Sequence, residues 1–299
     1  MAMRVGVIIL PAQRWEESAA TWRLVDEMGF AHAWTYDHVT WRDLRDKPWF
    51  AAVPTLAAAA AVTSRLRLGT LVCTPNFRHP VVLAKEAMTL DDISGGRFVL
   101  GLGAGVAGAD AEVLQRGACP PAERAARFAE FAELVDRLLR GRTTDHQGRH
   151  YHASGIVMEP GCRRAPRLPL AIAATGPRGI RLAARLADVW VTNGRARPGQ
   201  PPAVTPGDAE RQVAQLLAAC ADVGRDPGTL ARMVVVANRD SSPLASAGAF
   251  AEALHRYAEA GMTDLVVPFP RPEPPFAGSL AVLERVAEDI LPRLPGAAT

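Results

Sequence analysis

The sequence predicts a (β/α)8 barrel, a TIM-barrel fold of the α/β class, in a single domain over residues 1–299. Three observations lead there. Eight short, continuous apolar runs alternate strictly with eight longer amphipathic segments, and a run apolar on both faces suits a parallel strand covered by helices. Helix ends carry matching punctuation, such as Met28-Gly29 and Ala260-Gly261 ahead of the next strand. The 299 residues suit one barrel of about 250 residues with roughly 50 more in loops. A doubly wound open sheet shares the alternation and is the rival architecture.

The first strand is expected at 4–10 and feeds a helix at 16–28. A strand at 32–35 follows, then an alanine-rich helix at 53–63, a strand at 66–73 and a helix at 80–93. The fourth strand, 97–101, precedes a helix at 121–139, and the fifth, 170–174, a helix at 179–186. The last three pairs are 189–192 with 208–223, 232–237 with 247–260, and 264–268 with 280–291. Three interruptions break the rhythm, at about 105–120, 141–168 and 194–207. The first and third follow strands four and six, which puts them at the catalytic mouth, where long loops act as lids or binding loops. Gln147-Gly148 in the second reads as a hairpin turn.

Composition narrows the function classes. A hydrophobic fraction of 48% is ample for a large core and excludes a disordered or fibrous chain. Lys plus Arg number 34 against 31 Asp plus Glu, a net charge of +3, without a run of five like charges. Nucleic acid is therefore not an expected partner, because phosphate binding needs clustered positive charge. The most apolar stretch, 54–62, is too short to span a bilayer, so no membrane role is expected. The N-terminal run reads as a strand and not as a signal peptide. Cys73, Cys119, Cys162 and Cys220 stand far apart without a C-x-x-C pair, as free thiols in a reducing cytoplasm would. A cytoplasmic chain is the expectation.

In such a barrel the residues just after each strand carry chemistry. Here they are Tyr36-Asp37-His38, Thr74-Pro75-Asn76, Gly103-Ala104-Gly105, Thr175-Gly176-Pro177-Arg178, Thr192-Asn193 and Asn238-Arg239-Asp240. Asp37-His38 offers an imidazole that titrates near neutral pH beside a carboxylate that could orient it. The alternative is a structural pair capping the loop. Trp41, three residues on, adds an aromatic wall. The glycines at 101, 103 and 105 let a ligand approach the backbone, but no helix opens directly from them, which disfavours a dinucleotide site. Thr175-Gly176-Pro177-Arg178 joins a strand to a helix whose first N–H groups are unpaired, a candidate anion site; an ordinary helix start with a surface arginine reads equally well. Asp145, His146, His150 and His152 flank a turn without ligand spacing, so no metal site is expected. No G-x-S-x-G elbow is present, which leaves a nucleophilic triad without support.

Four segments then carry a family resemblance: Ala33-Trp34-Thr35-Tyr36-Asp37-His38; residues 62–70 around Thr63-Ser64-Arg65; residues 89–97, ending Ser94-Gly95-Gly96-Arg97 and running into Gly101–Gly105; and Ala173-Ala174-Thr175-Gly176-Pro177 followed by 182–188. In order and spacing over residues 1–290 or so, the chain resembles the bacterial luciferase-like superfamily of flavin- and deazaflavin-dependent oxidoreductases. That resemblance implies a TIM barrel with a reduced flavin or the deazaflavin coenzyme F420 at its mouth. It implies that His38 works near the ring with Asp37, and that Leu71, Val72 and Cys73 form a bulge under the ring, often with a non-proline cis peptide. Gly103, Ala104 and Gly105 match backbone contacts to the cofactor tail, and Thr175, Gly176 and Pro177, beside Arg178, its phosphate site. The segment Thr74-Pro75-Asn76-Phe77-Arg78 and Trp41 resemble the F420-dependent branch, with FMN as the alternative cofactor. Val106 stands where that branch carries an acidic proton donor, and Asp110 and Glu112 are the acids that could replace it. The lysines of its sugar-phosphate enzymes are absent, with Lys47 and Lys85 notable among the few present. The expected activity is hydride transfer to or from a small, apolar organic substrate, in a mouth lined by Trp41, Trp15 and Trp49. An FMNH2- and O2-dependent monooxygenase is the alternative, and a non-catalytic cofactor-binding barrel the alternative of another class. A homodimer is the partner arrangement the resemblance allows.

Overall fold

A computed structural model describes residues 3–41, 44–106, 108–114, 119–197, 200–237 and 243–294. In chain order it contains β1 (Arg4–Ile8), α1 (Trp15–Glu27), β2 (His32–Thr35), α2 (Ala52–Val62), β3 (Arg67–Thr70), α3 (Pro80–Ile93) and β4 (Phe98–Gly103). Next come α4 (Ala109–Leu114), α5 (Pro121–Arg140), β5 (Thr143–Gln147), β6 (His152–Val157), β7 (Leu170–Ala173), α6 (Pro177–Leu186) and β8 (Val189–Thr192). The chain continues through β9 (Arg195–Arg197), β10 (Gln200–Ala203), α7 (Pro206–Asp222), β11 (Ala231–Val235), α8 (Ala247–Glu259), β12 (Asp264–Pro268) and α9 (Leu280–Asp289). Eight of these strands form a closed parallel barrel in the order β1-β12-β11-β8-β7-β4-β3-β2. Closure excludes the open doubly wound sheet: β1 pairs on one side with β2 (Gly6 opposite His32) and on the other with β12 (Arg4 opposite Asp264).

All eight expected strands and eight expected helices are present, with small shifts at their ends. The strand expected at 66–73 leaves the ladder after Thr70, and Cys73 rejoins β4 through a single bridge to Leu102. The interruptions contain structure of their own. The short helix α4 lies in the first, and an antiparallel pair β9–β10 in the third. In the second, β5 and β6 form the expected hairpin, with Gln147 opposite His152. Glu130 of α5 clamps its tip by accepting from the backbone N–H groups of His150 and Tyr151 at 3.0 and 2.8 Å, and it meets His146 Nε2 at 3.1 Å.

The barrel interior is filled unevenly, and β2 explains why. His32 and Trp34 are one pleat apart on the inner face, and both are large. Their neighbours make room: a Cβ on Gly6 would lie 1.9 Å from His32 Nδ1, and one on Gly69 2.3 Å from the Trp34 ring. Trp34 Nε1 donates to His32 Nδ1 at 2.7 Å, which leaves the imidazole proton on Nε2, 3.1 Å from Asp264 Oδ1. Arg4 completes the plug with two hydrogen bonds to the Asp264 carboxylate, at 2.7 and 2.8 Å. Burial alone would raise the Asp264 pKa, but His32 and Arg4 outweigh it and hold the carboxyl far below the usual range.

The turns at the opposite end from the mouth are locked by side chains. Asp26 accepts from the backbone N–H groups of Ser64, Arg65 and Leu66. Arg97 donates to the carbonyls of Ala60, Thr63 and Leu66. The segments Thr63-Ser64-Arg65 and Ser94-Gly95-Gly96-Arg97 therefore hold α2–β3 and α3–β4 connections together, far from the strand ends that carry chemistry. The four cysteines are free thiols, and no helix among the described residues is long and apolar enough to cross a membrane.

Candidate active site

The carboxyl ends of β2, β3, β4 and β7 open into a cleft of about 1240 Å³. Each strand delivers a different kind of group. The loop after β2 supplies His38 and Trp41, and the chain after β3 supplies Leu71, Val72 and Asn76. From β4 come Gly103, Ala104 and Gly105, and from β7 come Thr175, Gly176, Pro177 and Arg178. The peptide bond between Leu71 and Val72 is cis. Gly103 is where that bulge meets β4: a Cβ there would lie 2.5 Å from Val72 Cγ2. Cys73 is fully buried behind the bulge, where burial pushes its thiol pKa well up, so it is the outer brace of the floor and not a wall of the cleft. Asn193, after β8, also lines the cleft. Asn238-Arg239-Asp240 lies outside the described residues.

His38 does not meet the carboxylate expected to orient it. Along an extended segment successive side chains face opposite ways, so Tyr36 and His38 turn one way and Asp37 the other. Asp37 is 1% exposed and forms a two-pronged ion pair with Arg78, Nε to Oδ2 at 2.9 Å and Nη2 to Oδ1 at 2.7 Å. Arg78 lies over the Phe77 ring and reaches Glu86 at 3.3 Å. Asp37 thus ties the loop after β2 to the loop after β3, and it is not the carboxylate that orients His38.

The carboxylate at His38 belongs to Asp110, in α4. His38 Nδ1 donates to Asp110 Oδ2, while Oδ1 accepts from the backbone N–H of Val39 at 2.9 Å and of Thr40 at 3.3 Å. Burial opposes ionisation of Asp110, but the bond from His38 and the two amides win and hold its pKa below the ordinary value. Because the carboxylate accepts at Nδ1, the proton of a neutral ring sits there and Nε2 is left as a base. Trp49 fixes the same loop from behind, its Nε1 donating to the His38 carbonyl at 2.9 Å. Val106 is 63% exposed at the cleft edge and offers no proton donor; its carbonyl accepts from Asn76 Nδ2 at 3.1 Å.

The cleft has two unlike ends. At one, α6 starts at Pro177 behind Gly176, whose position receives no side-chain cap, and nothing lies within 4 Å of where a Gly176 Cβ would be. Ile180 N donates to the Gly176 carbonyl at 2.9 Å, and no side chain caps the Arg178 and Gly179 N–H groups ahead of it. Arg178, Arg181 and Arg185 of α6 and Arg124 of α5 line the same cleft, with Arg185 bridged to Glu133 at 2.9 Å. The spacing of 178, 181 and 185 is one helical face, a signal the sequence carried. At the other end, Trp41 is stacked on Trp49 with ring centres 5.5 Å apart, and Tyr36 and Phe276 pack on it at 5.4 and 6.0 Å. Trp15 stays 37% exposed at the start of α1 and does not line the cleft.

These features suit a flat ring with an anionic tail. The capless helix start and the arginines match a phosphate, and Leu71, Val72, Gly103 and Ala104 line the cleft beside it as a largely apolar surface for a ring.

The family model described as luciferase-like monooxygenase matches residues 3–292. An F420-dependent glucose-6-phosphate dehydrogenase of Beutenbergia cavernae is 32% identical, over 91% of this chain and 91% of its own length. A 4-hydroxyprotoasukamycin monooxygenase of Streptomyces nodosus subsp. asukaensis is 36% identical, over 53% of this chain and 42% of its own. Among solved structures, the coenzyme F420-dependent tetrahydromethanopterin reductase of Methanopyrus kandleri matches with a TM-score of 0.77 at 20% identity, over 99% of this chain and 100% of that one. At that identity the match establishes the shared fold.

Proposed function

The chain belongs to the luciferase-like monooxygenase family, and on that basis we propose that it is an F420-dependent oxidoreductase acting on a small, uncharged organic substrate. The observation that carries this reading is the pairing of His38 with Asp110 inside the cleft, which supplies an acid–base group where Val106 leaves none.

When bound, a deazaflavin exchanges a hydride with substrate, two electrons at a time. The protein's own residues then have a short task. His38 takes or returns the substrate proton at Nε2, while Asp110 accepts from the other ring nitrogen and fixes the ring plane. Leu71, Val72 and Gly103 would support the ring, and Thr175, Gly176, Pro177 and Arg178 would receive the phosphate at the start of α6, with one guanidinium. Trp41 excludes water from the reacting face. A barrel that only stores cofactor would have no use for a buried carboxylate held by three donors against a mouth histidine.

The test is a titration of the purified protein with F420 and with FMN, followed by absorbance and fluorescence. F420 is expected to bind with a Kd on the order of micromolar, and more tightly than FMN. Binding of FMN alone would replace this reading with the flavin-dependent monooxygenase reading, and binding of neither with the non-catalytic one.

A further inference from the structure

Phe276 is the only non-glycine among the described residues with a positive φ, 71°. For a bulky aromatic side chain that backbone region is a true outlier, and such a conformation persists only where its surroundings over-determine it. Here the loop after β12 does so. Arg271 N donates to the Phe276 carbonyl at 2.9 Å, Gly278 N to the Arg271 carbonyl at 3.0 Å, and Arg271 Nη1 to the Pro275 carbonyl at 3.3 Å. The outcome of this bracing is a single placement: the Phe276 ring packs on Trp41, centres 6.0 Å apart and planes inclined by 32°.

Trp41 is then held from three directions, by Phe276, by the stacked Trp49 and by Tyr36 at 5.4 Å. Of these four rings Trp41 is the one that lines the cleft, so the others act through it. None of the four carries a charge, whereas the arginines of α5 and α6 line the anion-binding end. Arg45 lines the cleft from the Trp41 loop, but it is exposed at the rim.

We propose that Phe276 is a positioning residue that sets substrate class: it fixes the Trp41 indole as a flat apolar wall, and the substrate is an uncharged carbonyl or alcohol with a planar apolar group that packs against that wall. This rests on the function proposed above, but it concerns the substrate half of the cleft and is separable from cofactor binding.

The test uses acetophenone, acetone and glucose 6-phosphate as probes, titrated calorimetrically into the protein with and without F420. Acetophenone should bind best, and Phe276→Ala and Phe276→Gly should weaken it about tenfold while leaving F420 affinity unchanged. Phe276→Tyr should restore the wall and the affinity. The glycine variant separates this role from a structural one: relief of the positive φ offsets the lost ring packing, so its melting temperature should stay within about 2 °C of the parent's even as acetophenone binding falls. A glycine variant that binds acetophenone as the parent does would overturn the proposal, as would tighter binding of glucose 6-phosphate than of acetophenone. Failure of F420 to bind would overturn the function reading alone, and the acetophenone series on the cofactor-free protein would still decide the role of Phe276.

Discussion

His38 and Asp110 are 72 residues apart in sequence and meet through Nδ1 and Oδ2 at the barrel mouth. The contact is prepared on the carboxylate side, because the Val39 and Thr40 amides hold Asp110 whether or not the imidazole is in place. The residue that follows β2 therefore takes its orientation from α4, an element inserted after β4.

Asp110→Asn tests that dependence. With its oxygen kept by the Val39 and Thr40 amides, an asparagine turns its NH2 to His38 and can only donate to Nδ1, which moves the ring proton to Nε2 and removes the base facing the cleft. F420 affinity should hold while kcat falls by about 10². Equal kcat for the variant and the parent in steady-state assays would remove Asp110 from the mechanism. His38→Ala should give a fall of similar size, and the double variant little more, because the two act as one unit.

How much of this was legible in the sequence follows from which physics each feature uses. The strands and most of the cleft lining were legible, because a buried parallel strand is continuously apolar and the barrel places function just beyond its end. The partner of His38 was not. Asp37 is adjacent in sequence but lies across the pleat, whereas Asp110 comes from a six-residue helix whose position only the closed barrel determines. Phe276 was missed because its place depends on a braced loop that has no periodicity. The segments most specific to the family, around Ser64 and Arg97, turned out to hold turns at the far end of the barrel; they identify the fold and say nothing of the substrate.

Asp37 should behave as a buried structural ion. Removing one partner of a buried pair leaves the other uncompensated, so Asp37→Leu is expected to cost about 3–5 kcal/mol of stability. Arg78→Met alone should also destabilise. The double variant should be more stable than the sum of the single losses predicts, which chemical denaturation of all four proteins would measure. Additive losses would show that Asp37 and Arg78 stabilise the loops independently.

Asp264 gives the fold an acid limit with a definite sign. Its folded pKa is depressed, so between that value and the unfolded value near 3.9 the unfolded chain binds more protons, and stability rises with pH through this window. The contribution is fully present above about pH 4 to 5 and is lost as pH falls toward the folded pKa. Asp264→Asn removes the charge that faces Arg4 and His32, with an expected loss of about 3 kcal/mol at pH 7. Thermal melts from pH 7 to pH 3 should show the gap between parent and variant narrowing with acid. A gap that stays constant would mean that the pair contributes nothing electrostatic.

Gly176 offers the most direct reading of the anion site, because its effect on binding can be separated from its effect on folding. Its backbone lies at φ −105° and ψ 159°, a region open to any residue, and a Cβ there would touch nothing within 4 Å. Gly176→Val therefore brings no clash within the protein and, with the β-region favourable to valine, should leave the melting temperature near that of the parent. The isopropyl group would instead occupy the space in front of the α6 N–H groups, where a phosphate would sit. The expected result is a loss of F420 affinity of tenfold or more, about 1.4 kcal/mol, with kcat at saturating cofactor nearly retained. Arg181→Gln should weaken binding less and reduce its salt dependence, since it removes a screened charge and not the cradle itself. If Gly176→Val bound F420 as tightly as the parent, the phosphate would have to sit elsewhere in the cleft, and the arginine face of α6 would lose its assigned partner.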